Sequence, residues 1–171
     1  MKIIIVGCGK VGTALTQRLC EEGHDITVVD TDAARIQHII EEFDVMGVVG
    51  NGSSYLALEE AGAGTADVLI AVTGSDELNL LCCMTAHGLN QNLHTIARIR
   101  TPEYAEQVLT MPQVYPLSLT VNPEKQAAVE IQRLLKYPGF LRRETFAKGR
   151  VEIVELRIDR ASKLCDVSLH R

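Results

Sequence analysis

The chain holds no apolar run approaching the ~18 consecutive residues that a membrane-crossing helix requires, so nothing in it reads as a transmembrane span. A lysine or arginine cluster is also missing. Together with a net charge of −5, that absence argues against nucleic acid as the main partner. The opening lacks the grammar of a signal peptide, since Lys2 and a short apolar run lead straight into a glycine turn without a small-residue cleavage site. Five cysteines (Cys8, Cys20, Cys82, Cys83 and Cys165) are odd in number and without metal-type spacing, so they read as reduced thiols. No i, i+4 histidine pair occurs among His24, His38, His87, His94 and His170, and there is no Tyr-x-x-x-Lys pair.

What is present is a chain of 171 residues with 46% hydrophobic content, enough for one good core and a short second domain, as expected of a small cytosolic protein. Its loudest signal comes first. Ile3, Ile4, Ile5 and Val6 form the unbroken apolar stretch of a central parallel strand buried on both faces. Gly7, Gly9 and Gly12 follow with G-x-G-x-x-G spacing. The first glycine permits a tight turn, the second lets a pyrophosphate approach the backbone, and the third lets the next helix pack close to the strand. That helix begins near Lys10, so its N–H groups and dipole point at the phosphates. Ile26 to Val29 make a second strand, and Asp30 lies about 20 positions beyond the glycines, where a dinucleotide fold takes ribose hydroxyls. A carboxylate there repels a 2′-phosphate, which favours NAD(H) or an adenine nucleotide over NADP(H). The competing role for Asp30 is to cap the next helix, which Thr31 or Asp32 fills equally well. Cys8 lies at a helix N-terminus, an environment that lowers a thiol's pKa and makes it a candidate redox sensor, unless it is only a small side chain that fits.

The strand–helix alternation continues. Val45–Val49 reads as a third strand, followed by the turn at 50–54 and a helix from Tyr55 to Ala61. Val68–Val72 is a fourth, ending at Thr73 and Gly74, after which Ser75 N-caps a helix. Thr95–Ile99 is a fifth, and Val114–Leu117 is expected to be a sixth. Pro123 opens a long helix with Ala127, Ile131, Leu134 and Leu135 on one face. This rhythm specifies an α/β, Rossmann-like, doubly wound parallel sheet, with its ligand beyond the carboxyl ends of the strands. Gly7 to Val11, Asp30, Asn51, Thr73, Gly74 and Arg98 are expected around one crevice. After Tyr137-Pro-Gly139 the pattern becomes a hairpin, from Glu144–Ala147 through Lys148-Gly149 to Arg150–Ile158, with a bulge expected near Val154. A hairpin does not stand alone in water. The expected organisation is therefore a nucleotide-binding domain over 1–137 and, over 138–171, the start of a small C-terminal subdomain whose next element opens at Ser162–Leu164.

The residues K-I-I-I-V-G-C-G-K-V-G, I-T-V-V-D, A-V-T-G-S-D-E-L-N at 71–79, I-A-R-I-R at 96–100 and L-L-K-Y-P-G at 134–139 together resemble the TrkA family. These are peripheral regulatory subunits of bacterial Trk potassium uptake systems, built from KTN (also called RCK) nucleotide-binding domains. The resemblance covers residues 1–150, with 151–171 similar to the start of the family's C-terminal subdomain. Family members usually carry two such units in tandem, which would make this chain the opening part of one.

The resemblance implies a regulator and not a catalyst: a cytoplasmic subunit, peripheral to the inner face of the cell membrane, that assembles as a homodimer or larger ring under an integral membrane potassium channel. NAD(H), ATP or ADP binding would change its shape and thereby gating. Carried over, the nucleotide contacts are Gly7, Cys8, Gly9, Lys10, Val11 and Gly12 at the phosphates, Asp30 at the ribose, Thr73 and Gly74 beside the adenosine, and Arg98 near the mouth. Lys10 matches a position from which some relatives reach a terminal phosphate across a dimer interface; otherwise it is a solvated helix-start residue. Glu124 matches a carboxylate linked to ion binding in some relatives; otherwise it compensates a helix dipole. The alternative is an NAD-dependent oxidoreductase, which needs an acid/base group facing the nicotinamide. The histidine inventory offers none, and no large substrate domain follows. A third reading is an assembly module with a vestigial nucleotide site, built on the long helix. Retention of the glycines together with Asp30 speaks against a dead site.

Overall fold

The computed structural model describes residues 1–136, 140–146, 150–158, 162, 165 and 167. They divide into two compact units, Met1–Pro123 and Glu124–Arg171.

In the first unit, strands β1 (Lys2–Val6), β2 (Asp25–Asp30), β3 (Met46–Val49), β4 (Val68–Ala71), β5 (His94–Arg98) and β6 (Leu119–Val121) alternate with helices α1 (Lys10–Glu21), α2 (Ala33–Phe43), α3 (Tyr55–Glu60), α4 (Asp76–Leu89) and α5 (Pro102–Thr110). All six strands are parallel, in the order β3-β2-β1-β4-β5-β6. This is the doubly wound Rossmann arrangement, and the order reverses between β1 and β4. The first strand shows why its sequence is apolar throughout. Ile3 and Ile5 face a core with Ile36 and Ile39 of α2, while Ile4 and Val6 face another with Leu58 of α3 and Leu80 of α4. Each fully buried aliphatic side chain contributes about 1.5–3 kcal/mol, so the central strand is the best-anchored element of the sheet.

The helix boundaries follow local chemistry. Asp32 caps α2 by accepting from the N–H groups of Ala34 and Arg35, and the Ser75 hydroxyl caps α4 by accepting from Leu78 at 3.2 Å. The sixth strand lies later than expected. Within Val114–Leu117, the N–H groups of Val114 and Tyr115 donate to Met111, that of Leu117 donates to Tyr115, and Pro116 has none. Those residues have no donor left for a ladder, so they form a turn, and Leu119–Val121 pairs with β5 instead.

The second unit contains α6 (Pro123–Lys136) and the antiparallel strands β7 (Phe140–Phe146) and β8 (Val151–Leu156). Ala127, Ile131, Leu134 and Leu135 of α6 are all exposed. The hairpin's register shift falls between Phe140 and Arg142 of β7, opposite Glu155 and Leu156, so the extra residue lies on the first strand and not, as the parity of the second strand predicts, on that strand near Val154. One extra residue on β7 moves the pairing by one. The expected turn at Lys148-Gly149, the boundary at Tyr137–Gly139, and Lys163 and Leu164 lie outside the described residues. No described helix is long and apolar enough to cross a membrane.

Candidate nucleotide-binding site

The loop after β1 is shaped by two glycines that the fold itself demands. Gly7 has φ +104°, in the left-handed region, and a Cβ there would come within 3.0 Å of the Thr73 backbone nitrogen. At Gly12 a Cβ would sit 1.8 Å from the Gly7 carbonyl oxygen. The helix therefore crosses the loop at a distance only glycine allows. Gly9 is different. Its backbone is ordinary, φ −78° and ψ −172°, and a Cβ would meet nothing within 4 Å. Gly9 is the N-cap of α1 and supplies no side-chain cap. Lys10 is exposed at the first helical position, while Val11 is half-buried against the α1/α2 core.

The loop is tied directly to the end of β2. The Cys8 N–H donates to Asp30 Oδ2 at 2.7 Å and the Asp32 N–H donates to Asp30 Oδ1 at 2.9 Å. Since Asp32 caps α2, Asp30 is not needed for that role. Its half-buried carboxylate is held beside the glycine loop with lone pairs to spare for ribose hydroxyls. The Cys8 side chain faces the other way, into the core, only 5% exposed. Burial pushes its thiol from the ordinary 9.0 up to about 12, helped by the negative charge of Asp30 and opposed by Arg35. Of the two readings of Cys8, a thiol activated by the helix N-terminus and a small side chain that fits, the burial of the sulfur favours the second.

On the other side of β1, Thr73 and Gly74 follow β4, held by two residues that pattern reading passed over. Asn79 of α4 is fully buried; its Oδ1 accepts from the Thr73 N–H at 2.8 Å and its Nδ2 donates to the Arg98 carbonyl at 2.9 Å. Asp76, 4% exposed, accepts from the N–H groups of Arg100 at 2.9 Å and Thr101 at 2.8 Å, and pairs with Arg100 Nε at 3.4 Å. Burial pushes the Asp76 carboxyl up, but the hydrogen bonds from Thr101 and Arg100 together outweigh it and hold it below its ordinary value. The Arg100 guanidinium also donates to the Gly74 carbonyl. Arg98 is half-buried at the end of β5, joined to the Thr73 loop through Asn79. The signal for Asn79 was available in the sequence: a carboxamide on the same helix face as Leu80, Cys83 and Ala86 is a buried polar group that needs partners.

The structure thus links Gly7–Gly12, Asp30, Thr73, Gly74 and Arg98 at the carboxyl ends of β1, β2, β4 and β5. Asn51 is exposed in the turn after β3, its side-chain oxygen accepting from the Ser53 N–H and hydroxyl. Glu124 is exposed in the first turn of α6, within the other compact unit. A cavity of about 550 Å³ opens at the opposite edge of the sheet, lined by Lys2, His24, Asp25 and Asp44 among others, and includes neither the glycine loop nor Asp30. Ligands of open α/β sheets sit at the carboxyl edge, where the glycine loop lies and that cavity does not. Among the described residues, no three His, Cys, Asp or Glu side chains form a metal-ligating group.

Comparison with known proteins agrees with this fold. Residues 3–113 match the family model described as the TrkA-N domain. The chain is 40% identical over 158 residues to the Trk system potassium uptake protein TrkA of Halomonas elongata, covering 92% of this chain and 35% of that protein. It is 34% identical over 163 residues to a TrkA homolog of Archaeoglobus fulgidus, covering 95% and 37%. The chain therefore spans a little over a third of the length of these curated relatives. Among solved structures, the TrkA-N domain of the inner membrane protein ybaL from Escherichia coli is similar with TM-score 0.71 and 22% identity, covering 78% of this chain and 96% of that one. The Kef CTD of Shewanella denitrificans in AMP-bound form gives 0.68 and 22%, covering 81% and 82%. The GsuK channel bound to NAD gives 0.61 and 23%, covering 70% and 21%. At these identities the structural likeness is one of fold. The sequence match, in contrast, runs through the glycine loop, Asp30, Thr73 and Arg98, and on it the chain belongs to the TrkA-N domain family.

Proposed function

We propose that the Met1–Pro123 unit binds NAD(H) or an adenine nucleotide as a signal, and that the protein of which it is part regulates a potassium transport system. The observation that carries the binding half is Gly9. Nothing in the chain requires glycine there, and the space its missing side chain leaves open lies beside a carboxylate already held as a hydrogen-bond acceptor. A pyrophosphate over Gly9 and a ribose at Asp30 account for both. Gly7 and Gly12 shape the loop, Cys8 couples it to Asp30 through its amide, and the N–H groups at Lys10 and Val11 begin the helix that faces the phosphates. Thr73, Gly74 and Arg98 complete the opposite wall.

The regulatory half is supported by the names of the relatives, which are potassium uptake proteins, and by a channel of similar fold solved with NAD. In this reading the protein works as a homodimer or larger ring on the cytoplasmic face of the membrane, held there by an integral membrane transport subunit. Nucleotides shift its shape by binding the alternative arrangements unequally. The four described histidines favour a sensor over an oxidoreductase: His24 pairs with Glu22, His38 pairs with Glu42, His87 lies in the last turn of α4, and His94 opens β5 at the edge away from the glycine loop.

Isothermal titration with NADH, NAD, NADPH, ATP and ADP tests the binding half. Affinities tighter than about millimolar are expected for at least one unphosphorylated-ribose ligand, with NADPH weaker. Asp30→Ala is expected to weaken every ribose-bearing ligand roughly 10- to 100-fold, the scale of a hydrogen bond to a charged group. Unchanged NADH affinity in that variant would remove Asp30 from the site.

A further inference from the structure

Asn79 fixes more than a loop. The Thr73 N–H can only donate and the Arg98 carbonyl can only accept, so these two backbone partners determine which end of the Asn79 amide is oxygen. The Thr73 hydroxyl lies 2.7 Å from that oxygen and 3.2 Å from the Ser75 carbonyl, and it accepts from the Ser75 N–H at 3.4 Å. The two oxygens are acceptors with no proton of their own. The single hydroxyl proton is therefore committed inside the protein, and Thr73 has one lone pair left to offer a ligand.

We propose that Asn79 makes Thr73 an acceptor-only contact, so that the β4 side of the nucleotide site takes a ribose hydroxyl and disfavours a phosphate oxygen. The inference rests on the nucleotide reading above and sharpens the choice of ligand. Asp30 after β2 is also an acceptor, and β2, β1 and β4 are neighbours in the sheet. Asp30 and Thr73 thus flank the glycine loop on either side, about 10 Å apart at the usual strand spacing. Two acceptors flanking a phosphate-binding turn match a ligand that carries hydroxyls on both sides of a pyrophosphate. A dinucleotide with two riboses has that pattern. A nucleoside triphosphate brings hydroxyls to one side and anionic oxygens to the other, where they meet the lone pairs of Thr73.

Titration of the full chain with NADH, ATP and inorganic tripolyphosphate, for the wild type, Thr73→Val, Thr73→Ser and Asn79→Ala, tests this. Thr73→Val keeps the N–H bond to Asn79 and removes only the hydroxyl. It is expected to weaken NADH roughly tenfold, the loss of one hydrogen bond, while ATP and tripolyphosphate stay within about twofold. Thr73→Ser restores NADH binding. Asn79→Ala removes the nearer acceptor and leaves the hydroxyl proton only the longer contact to the Ser75 carbonyl, which lets it turn towards a ligand and narrows the preference of NADH over ATP; if that variant does not fold, the two Thr73 variants decide alone. Equal weakening of NADH and tripolyphosphate by Thr73→Val, or an unchanged NADH affinity, overturns the inference. Wild-type binding of ATP more tightly than NADH overturns it while leaving nucleotide sensing intact. A wild type that binds neither nucleotide overturns both.

Discussion

Gly9 and Gly12 stand three positions apart in one motif and answer to different forces. A methyl group at Gly12 would have to push α1 away from the Gly7 carbonyl, a backbone contact of 1.8 Å that no rotamer relieves. Gly12→Ala is expected to destabilise the protein by about 1–3 kcal/mol, read as a lower thermal midpoint. Gly9→Ala enters open space at a backbone angle any residue accepts, so its stability should stay within about 0.5 kcal/mol of the parent. Its NADH affinity should fall by more than about tenfold, because the methyl occupies the path of the pyrophosphate. A Gly9→Ala protein that binds NADH as the parent does would empty the loop of its proposed ligand. The spacing made these glycines legible but assigned them by analogy; only the packing shows which one the fold leaves to a ligand. Cys8 teaches the reverse lesson. Its position beside a helix N-terminus was plain in the sequence, but whether its sulfur points outward or into the core was not. With the thiol pushed up to about 12, Cys8 should resist iodoacetamide at neutral pH in the native protein and react only after unfolding, as peptide mapping will report. Labelling of native Cys8 as fast as a free thiol would show the loop open to solvent.

The elements divide by how much of their cause is local. Those with a long apolar run or a cap were readable, because the same residues that form them also name them: β1 by its isoleucines, α2 by Asp32, α4 by Ser75. The three-residue β6 was not, since its place depends on where the preceding turn exhausts the N–H groups of 114–117 and on the register offered by β5. Helix α4 carries the plainest pH signature of any element. Burial pushes the Cys82 thiol from 9.0 up to about 12 and Cys83 higher still, with Cys82 adding to the rise at Cys83. In the unfolded chain these thiols ionise near 9.0, whereas the folded chain keeps them protonated. Their contribution to stability is thus complete below pH 9.0 and is lost as pH rises from there towards about 12. Thermal midpoints measured from pH 8 to 11 should decline, and Cys82→Ala should decline less steeply than the parent over the same window. Parallel slopes for the two proteins would exclude the buried Cys82 thiol as a cause.

At the scale of the molecule, the strand–helix rhythm made the doubly wound sheet legible, because each βα unit repeats the same short connection and the same two-faced burial. The pattern of the residues changes after Tyr137, while the compact units part after Pro123, the first residue of α6. Both buried cores lie entirely within the first unit, running from Ile3 to Val108, and partly buried Tyr115 and Leu117 close one of them. Every strand of the parallel sheet, β6 included, ends before Asn122. The residues proposed to hold a nucleotide, from Gly7 to Arg98, share that unit. A chain ended at Pro123 therefore retains both cores found among the described residues, the parallel sheet and the proposed site. It is expected to fold as a cooperative domain whose thermal midpoint lies within about 4 °C of the full chain's, the shift that about 1 kcal/mol produces at this size, and to bind NADH with unchanged affinity. Calorimetry and titration of the two chains side by side check both halves. If the shorter chain folds but no longer binds, residues beyond Pro123 reach the site, whereas failure to fold would mean that α6 and the hairpin supply stability that the first unit's own core does not.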